Sequence, residues 1–312
     1  MRFFRHFCRK TRMDIACTAF AFLLCAAPGI AQVKDGAGQK IVLKATALRI
    51  VTLSPHATEL VYAAGAGSKL VGVSDYSDYP AAAKALPKVA AASTVDIERV
   101  LALKPDLIVS WASGVSPAAH AQLRKLDIAL FESEPRTLRA IADEIASIAA
   151  LAGTLPAAQA VIDALRAEIA RTQQQAAAKA GSAPPVRVFH QIWERPLMTV
   201  NGQHIMSDAI KLCGGANVFA DVSTLTPTVT LESVIQRDPQ LISAGASAAE
   251  TKSSDPLAQW RAMPGLSAAK NQAFLILDAD KFSRASPRMM QEVTRLCAAI
   301  EQVRMRAAKP RQ

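Results

Sequence analysis

The sequence predicts an α/β protein of two Rossmann-like lobes joined by a single long helix, with a ligand cleft between the lobes. Three observations carry that expectation. Residues 96–111 (DIERVLALKPDLIVSW) are echoed by residues 230–244 (TLESVIQRDPQLISA), and each copy reads as a short amphipathic helix, a Pro-marked turn and a buried strand. Glu98 and Glu232 hold the same place in the two copies, 134 residues apart, and each precedes its proline by seven residues. A unit that recurs once at half-chain spacing argues for two lobes of like construction, not for a solenoid, whose periods are far shorter. Strand-like and helix-like runs also alternate along the chain, the pattern of a largely parallel sheet covered by helices. Finally, residues 154–177 form one helical pattern without an internal breaker, with Val161, Leu165 and Ile169 on one face, which makes a stiff connector between lobes.

A chain of 312 residues has room for two cores, and 51% apolar with 20% charged residues excludes a disordered chain. Residues 1–31 read as a secretory signal: five basic residues, an apolar run from 15 to 27, and small residues at 29 and 31 flanking Ile30. The run is short for a membrane span and ends in Pro28 and Gly29. Removing that segment, with its five bases and one acid, lowers the formal net charge from +10 to +6. That balance, without interleaved basic and aromatic residues, gives no sign of a nucleic-acid partner. Cys213 and Cys297 are the cysteines left in the exported chain. One disulfide is the default for such a pair, and a metal-binding pair is the alternative, although no His or Cys stands near either at ligand spacing.

Residues 32–47 read as a leader, 48–153 as the first lobe, 154–185 as the interlobe helix and linker, and 186–312 as the second lobe. In the first lobe a buried strand at 49–53 runs into Ser54-Pro55, an N-cap and first-turn pair that opens a helix ending at Gly65. Gly65-Ala66-Gly67 is no dinucleotide fingerprint, because Leu70 stands where the third glycine belongs. A strand at 70–73, the first copy of the repeat, a helix at 118–126, a strand at 128–131 and a helix marked by Leu138, Ile141, Ile145 and Ile148 complete the lobe. The second lobe has strands at 186–192 and 273–277, a helix at 207–213 stopped by Gly214-Gly215, and the second copy of the repeat. Ser286-Pro287 is expected to open the last helix as Ser54-Pro55 opens the first.

No HExxH, Walker loop, CxxC or Gly-x-Ser-x-Gly elbow occurs, and His56, His120, His190 and His204 lie in four separate elements. The sequence therefore assembles no catalytic constellation, which argues against an enzyme. The polar and aromatic residues that remain stand where strands finish, the usual ligand position in α/β folds: Tyr76, Trp111, Trp193 and the run 280–284. Read singly, each tryptophan is as readily core as cleft. Their shared strand-terminal position in both lobes favours a cleft suited to a large, partly apolar, hydrogen-bonding ligand.

The segments RIVTLSPHATEL, VGVSDYSDYP, IERVLALKPDLIVSW, KLCGGANVF and FSRASPR, in that order, resemble the periplasmic cobalamin-binding proteins of ABC importers, over about residues 48–303. The resemblance implies the class III periplasmic binding protein fold, cobalamin or a related corrinoid as transported ligand, and no cofactor or metal of the protein's own. It implies ligand contacts at Tyr76, Trp111, Asp280, Lys281, Phe282, Ser283 and Arg284, with Trp193 as a further aromatic. It implies a Cys213–Cys297 disulfide, and docking of Glu98 and Glu232 on arginines of an ABC permease by a periplasmic monomer. Within the wider superfamily haem or a ferric siderophore is the alternative ligand, with Tyr76, His56 and His190 as candidate axial groups.

Overall fold

The structure is a computed structural model, which describes residues 31–91, 94–247 and 255–308. The export signal expected at 1–31 lies, apart from Ala31, outside the described residues. The segment read as a leader instead forms an antiparallel hairpin of β1 (Ala31–Lys34) and β2 (Lys40–Leu43). Asp35 closes its turn by accepting the Ala37 and Gln39 backbone N–H groups, and its other oxygen accepts from Glu132 N–H, which ties the hairpin to the first lobe.

In the first lobe β3 (Ile50–Thr52) is wholly buried and leads into α1 (Pro55–Ala63). Ser54 caps that helix as expected, its hydroxyl accepting from Ala57 N–H, and Gly65 follows at φ +70°, where a side chain would be strained. The chain continues through β4 (Leu70–Ser74), β5 (Lys88–Ala91), β6 (Thr94–Val95), α2 (Ile97–Ala102), β7 (Leu107–Trp111), α3 (Pro117–Leu123), β8 (Ala129–Ser133) and α4 (Leu138–Ala152). The sheet order is β6-β5-β4-β3-β7-β8, parallel except for the β5–β6 pair.

Next comes α5 (Leu155–Ala180), whose 26 residues span about 39 Å at 1.5 Å per residue. Its buried face is Ala158, Ile162, Leu165 and Ile169, whereas Val161 is exposed. Ile162 lies seven residues, two turns, before Ile169 and four after Ala158, so the 3.6-residue period selects it over its neighbour.

The second lobe holds β9 (Val186–Gln191), α6 (Ile205–Leu212), β10 (Gly215–Asn217), α7 (Leu231–Arg237), β11 (Leu241–Ala246), β12 (Phe274–Asp278) and α8 (Met289–Ala308). Its sheet is parallel throughout, in the order β10-β9-β11-β12. Both copies of the repeat therefore take the same form, α2–β7 and α7–β11, and each contributes a strand paired on both sides. One contiguous core runs from Ile50 and Leu60 through Ile145 and Ile162 to Val188, Met289 and Leu296. Helices α4 and α5 thus join the two lobes by packing as well as by chain connection. Cys213, at the end of α6, is disulfide-bonded to Cys297 on α8 with a Cα–Cα distance of 4.6 Å, which removes the metal-pair alternative.

Candidate ligand cleft

Strand ends set the positions of the expected contacts. Tyr76 follows β4 on an exposed turn, with φ of +60°, a conformation that is costly for a tyrosine. The turn is held by Asp75 N–H donating to Ala90 carbonyl and Ser77 N–H donating to Ser74 carbonyl. Trp111 ends β7 and is partly exposed, with its ring edge-on to His56 at 5.5 Å. Gly114 makes room for that ring, since a Cβ there would lie 1.9 Å from Cε3 of the indole. Trp193 follows β9, is 61% exposed and donates its indole N–H to the Arg195 carbonyl. All three aromatics are accessible, as a ligand wall requires and a core role would not.

Beneath Trp111 runs a directed chain of buried polar groups. Ser54 donates to Nδ1 of His56, Nε2–H of His56 donates to Ser133, and Ser133 donates to Glu144 at 2.5 Å. That direction follows from the single Ser133 hydrogen, which goes to Glu144 and leaves Ser133 to accept from His56; Glu144 also accepts the Glu134 N–H, and Ser54 also caps α1. Burial, with Arg284 nearby, lowers the His56 pKa to about 4, and burial raises the Glu144 pKa to about 7 against the opposing Ser133 hydrogen bond. Among the cavities, a crevice where the lobes meet is lined by His56, Trp111, Arg136 and His204 together with Ser283 and Ala285. A larger cavity of about 570 Å³ is lined by Gln191, Trp193, Arg195, Gly245, Pro256 and Ala279, all of the second lobe. At the repeat offset Gly245 occupies the position of Trp111, so the two lobes offer the ligand different surfaces.

The run 280–284 does not present all five side chains to the cleft. Ser283 is exposed in the interlobe crevice, although its hydroxyl donates to the Ala279 carbonyl. Asp280 is exposed, and Lys281 is half-buried in an ion pair with Asp278. Phe282 is buried in the second lobe, edge-on to His190, because the helical turn Ala279–Phe282 directs it inward. Arg284 is buried too, and its guanidinium is engaged by three carboxylates: Asp78 at 2.6 Å, Asp280 at 2.9 Å and Glu59 at 3.3 Å. Phe282 and Arg284, both expected as ligand contacts, are thus buried and engaged within the fold.

Glu59 escaped the sequence reading. It stands on α1 among buried apolar residues, and a carboxylate in that setting is the signal that could have found it. It accepts from Ser286 at 2.6 Å and from Arg288, whose Nε lies 2.9 Å away and whose second nitrogen also donates to it. The Arg288 guanidinium in turn lies over the Tyr79 ring at 3.9 Å. Three residues of the second lobe thus converge on one carboxylate of the first. The Ser286 hydroxyl donates to Glu59, and α8 begins at Met289, later than Ser286-Pro287 predicts.

Three histidines whose pKa values are strongly lowered make acid lability an expected property. Burial lowers the pKa of His56 and His204 to about 4 and of His190 to about 3, so each is neutral in the fold and protonates more readily once unfolded. Their stabilisation is present above the ordinary value of 6.5 and is lost as pH falls toward those folded values, by up to about 1.4 kcal/mol per pH unit each. Glu144 acts oppositely, its contribution being lost as pH rises from 4.5 through about 7. Three groups outweigh one, so the urea midpoint should fall between pH 6.5 and 4.5. His190→Gln should flatten that limb, and an unchanged slope in the variant would count against the assignment.

Two α/β lobes on one connecting helix, with accessible aromatics at strand ends, define a two-lobed binding-protein architecture. The chain belongs to the periplasmic binding protein family, whose model matches residues 50–281. It is 38% identical to the vitamin B12-binding protein of Vibrio cholerae serotype O1 over 254 residues, 81% of this chain and 89% of that protein. It is 37% identical to the vitamin B12-binding protein of Yersinia pestis over 249 residues, 80% of this chain and 85% of that one. The crystal structure of the periplasmic vitamin B12-binding protein of Vibrio cholerae superposes with a TM-score of 0.75 at 37% identity, covering 83% of this chain and 98% of that one. A periplasmic haem-binding protein from Roseiflexus, at 24% identity and a TM-score of 0.70, shares the fold. Among the described residues no helix is long and apolar enough to cross a membrane, and no group of three His, Cys, Asp or Glu could hold a metal.

Proposed function

We propose that this protein is exported to the periplasm, captures cobalamin or a related corrinoid between its lobes as a monomer, and delivers it to the permease of an ABC importer without enzymatic action. The observation that supports this best is the trio of accessible strand-end aromatics, Tyr76, Trp111 and Trp193, on a chain 38% identical to a vitamin B12-binding protein. Flat apolar rings, with Ser283 beside Trp111 in the interlobe crevice, suit a ligand with a broad face and an amide-rich edge. Haem is less well served. His56 has both ring nitrogens hydrogen-bonded and His190 is buried against Ser243, which leaves Tyr76 as the accessible axial candidate.

Calorimetric titration with cyanocobalamin should give a saturable one-to-one isotherm. Trp111→Ala should weaken it by about tenfold, the scale of one lost ring contact with its buried area. Haem or a ferric siderophore binding in place of cyanocobalamin would overturn the ligand assignment.

Delivery is a separate expectation. Glu98 and Glu232 are exposed near the starts of α2 and α7, and neither has a hydrogen-bond or ion-pair partner among the described residues. Reversing both charges (Glu98→Arg with Glu232→Arg) should leave cyanocobalamin affinity within about twofold and abolish uptake. Transport that survives the double reversal would exclude docking through these residues.

A further inference from the structure

The two copies of the repeat share more than their glutamates. Val100 and Val234, again 134 residues apart, are both fully buried, so α2 and α7 sit on their sheets in the same rotational phase. In that phase Leu101 and Ile235 point outward at 44% and 45% exposure. Each lies three residues beyond its glutamate, hence beside it on the same helix face. An isolated exposed aliphatic residue needs no explanation. Two at equivalent repeat positions, equally bare and each next to a partnerless carboxylate, form a duplicated patch of defined chemistry.

We propose that Leu101 and Ile235 are the apolar anchors of a two-point docking surface, seated beside basic residues on the extracytoplasmic face of the membrane transporter that receives the ligand. The inference rests on the delivery reading above and adds the contacts that hold the complex once charge has steered it. The unpaired carboxylates call for a cationic partner surface, which raises the encounter rate and fixes register. Buried apolar side chains at the centre of each contact would slow dissociation. Val100 seats one patch on the first lobe and Val234 the other on the second, so a partner with matching sockets engages both lobes at once.

The test uses the full mature protein, cyanocobalamin, and inner-membrane vesicles of the source organism. Uptake is measured against the concentration of added binding protein for wild type, Leu101→Ser with Ile235→Ser, and Glu98→Arg with Glu232→Arg. For the serine pair the half-saturating concentration should rise at least about tenfold. Its thermal midpoint and calorimetric affinity for cyanocobalamin should match wild type, and its salt dependence of uptake should be retained because both glutamates remain. Wild-type uptake by the serine pair, with uptake lost in the charge-reversed pair, overturns the anchor assignment alone. Wild-type uptake by both pairs overturns the delivery reading with it.

Discussion

Glu59→Ala is expected to destabilise the protein by about 3–5 kcal/mol, the cost of removing one partner from a buried ion pair. The Glu59 side chain is 2% exposed, and Arg284 and Arg288 beside it are 8% and 17% exposed, so water cannot replace the lost carboxylate. Arg284 keeps Asp78 and Asp280, but Arg288 loses its anionic partner, and the Ser286 hydroxyl loses its buried acceptor. Because the three donors come from the second lobe and the carboxylate from the first, the loss falls on the seam between them. Cyanocobalamin affinity should therefore drop together with stability, even though Glu59 is too buried to touch ligand. Asp78→Asn is the comparison: that carboxylate is half exposed, and its removal should cost no more than about 1 kcal/mol. Urea unfolding at pH 7 measures both. A Glu59→Ala midpoint indistinguishable from that of Asp78→Asn would show that the cluster does not hold the seam.

The architecture was legible because its signals are local and periodic. The 134-residue echo places α2–β7 and α7–β11 in equivalent settings, and the unbroken pattern at 154–177 becomes α5. What escaped lacks a periodic signal. The β5 and β10 strands are short and made largely of alanine, glycine and asparagine, residues with little preference for strands. The β1–β2 hairpin depends on Asp35 reaching Glu132, a contact 97 residues distant that no window can register. The site divides in the same way. Strand-terminal position identified Tyr76, Trp111 and Trp193 as accessible, since strand ends are set by local pattern. Resemblance also placed Phe282 and Arg284 at the ligand; one helical turn buries the first, and Asp280 four residues away together with Asp78 and Glu59 of the first lobe engages the second. A sequence shows that an arginine is present. Whether its guanidinium is free depends on partners such as Glu59, 225 residues earlier.

Replacing Cys213 and Cys297 together by alanine is expected to cost about 4–5 kcal/mol, the chain-entropy value for a loop closed across a separation of 84 residues. The folded state has other reasons to keep the two positions together. Cys213 ends α6, Cys297 lies on α8, and both belong to or pack against the contiguous core that includes α5. The loss should therefore arise mainly in the unfolded chain, which gains freedom when the link is cut, and the folded structure should change little. The location of the bond sharpens the expectation. Its sulfurs adjoin a crevice lined by Glu168, Thr172 and Ala176 of α5, whereas Trp111, Trp193 and Ser283 line other cavities. The double alanine protein should consequently bind cyanocobalamin with wild-type affinity while unfolding at a markedly lower urea concentration. Lost affinity at unchanged stability would mean that the bond shapes the cleft instead. Glu59 and the disulfide thus separate two quantities that a single stability measurement would merge. The carboxylate couples stability to ligand affinity through the seam, and the disulfide supports stability alone.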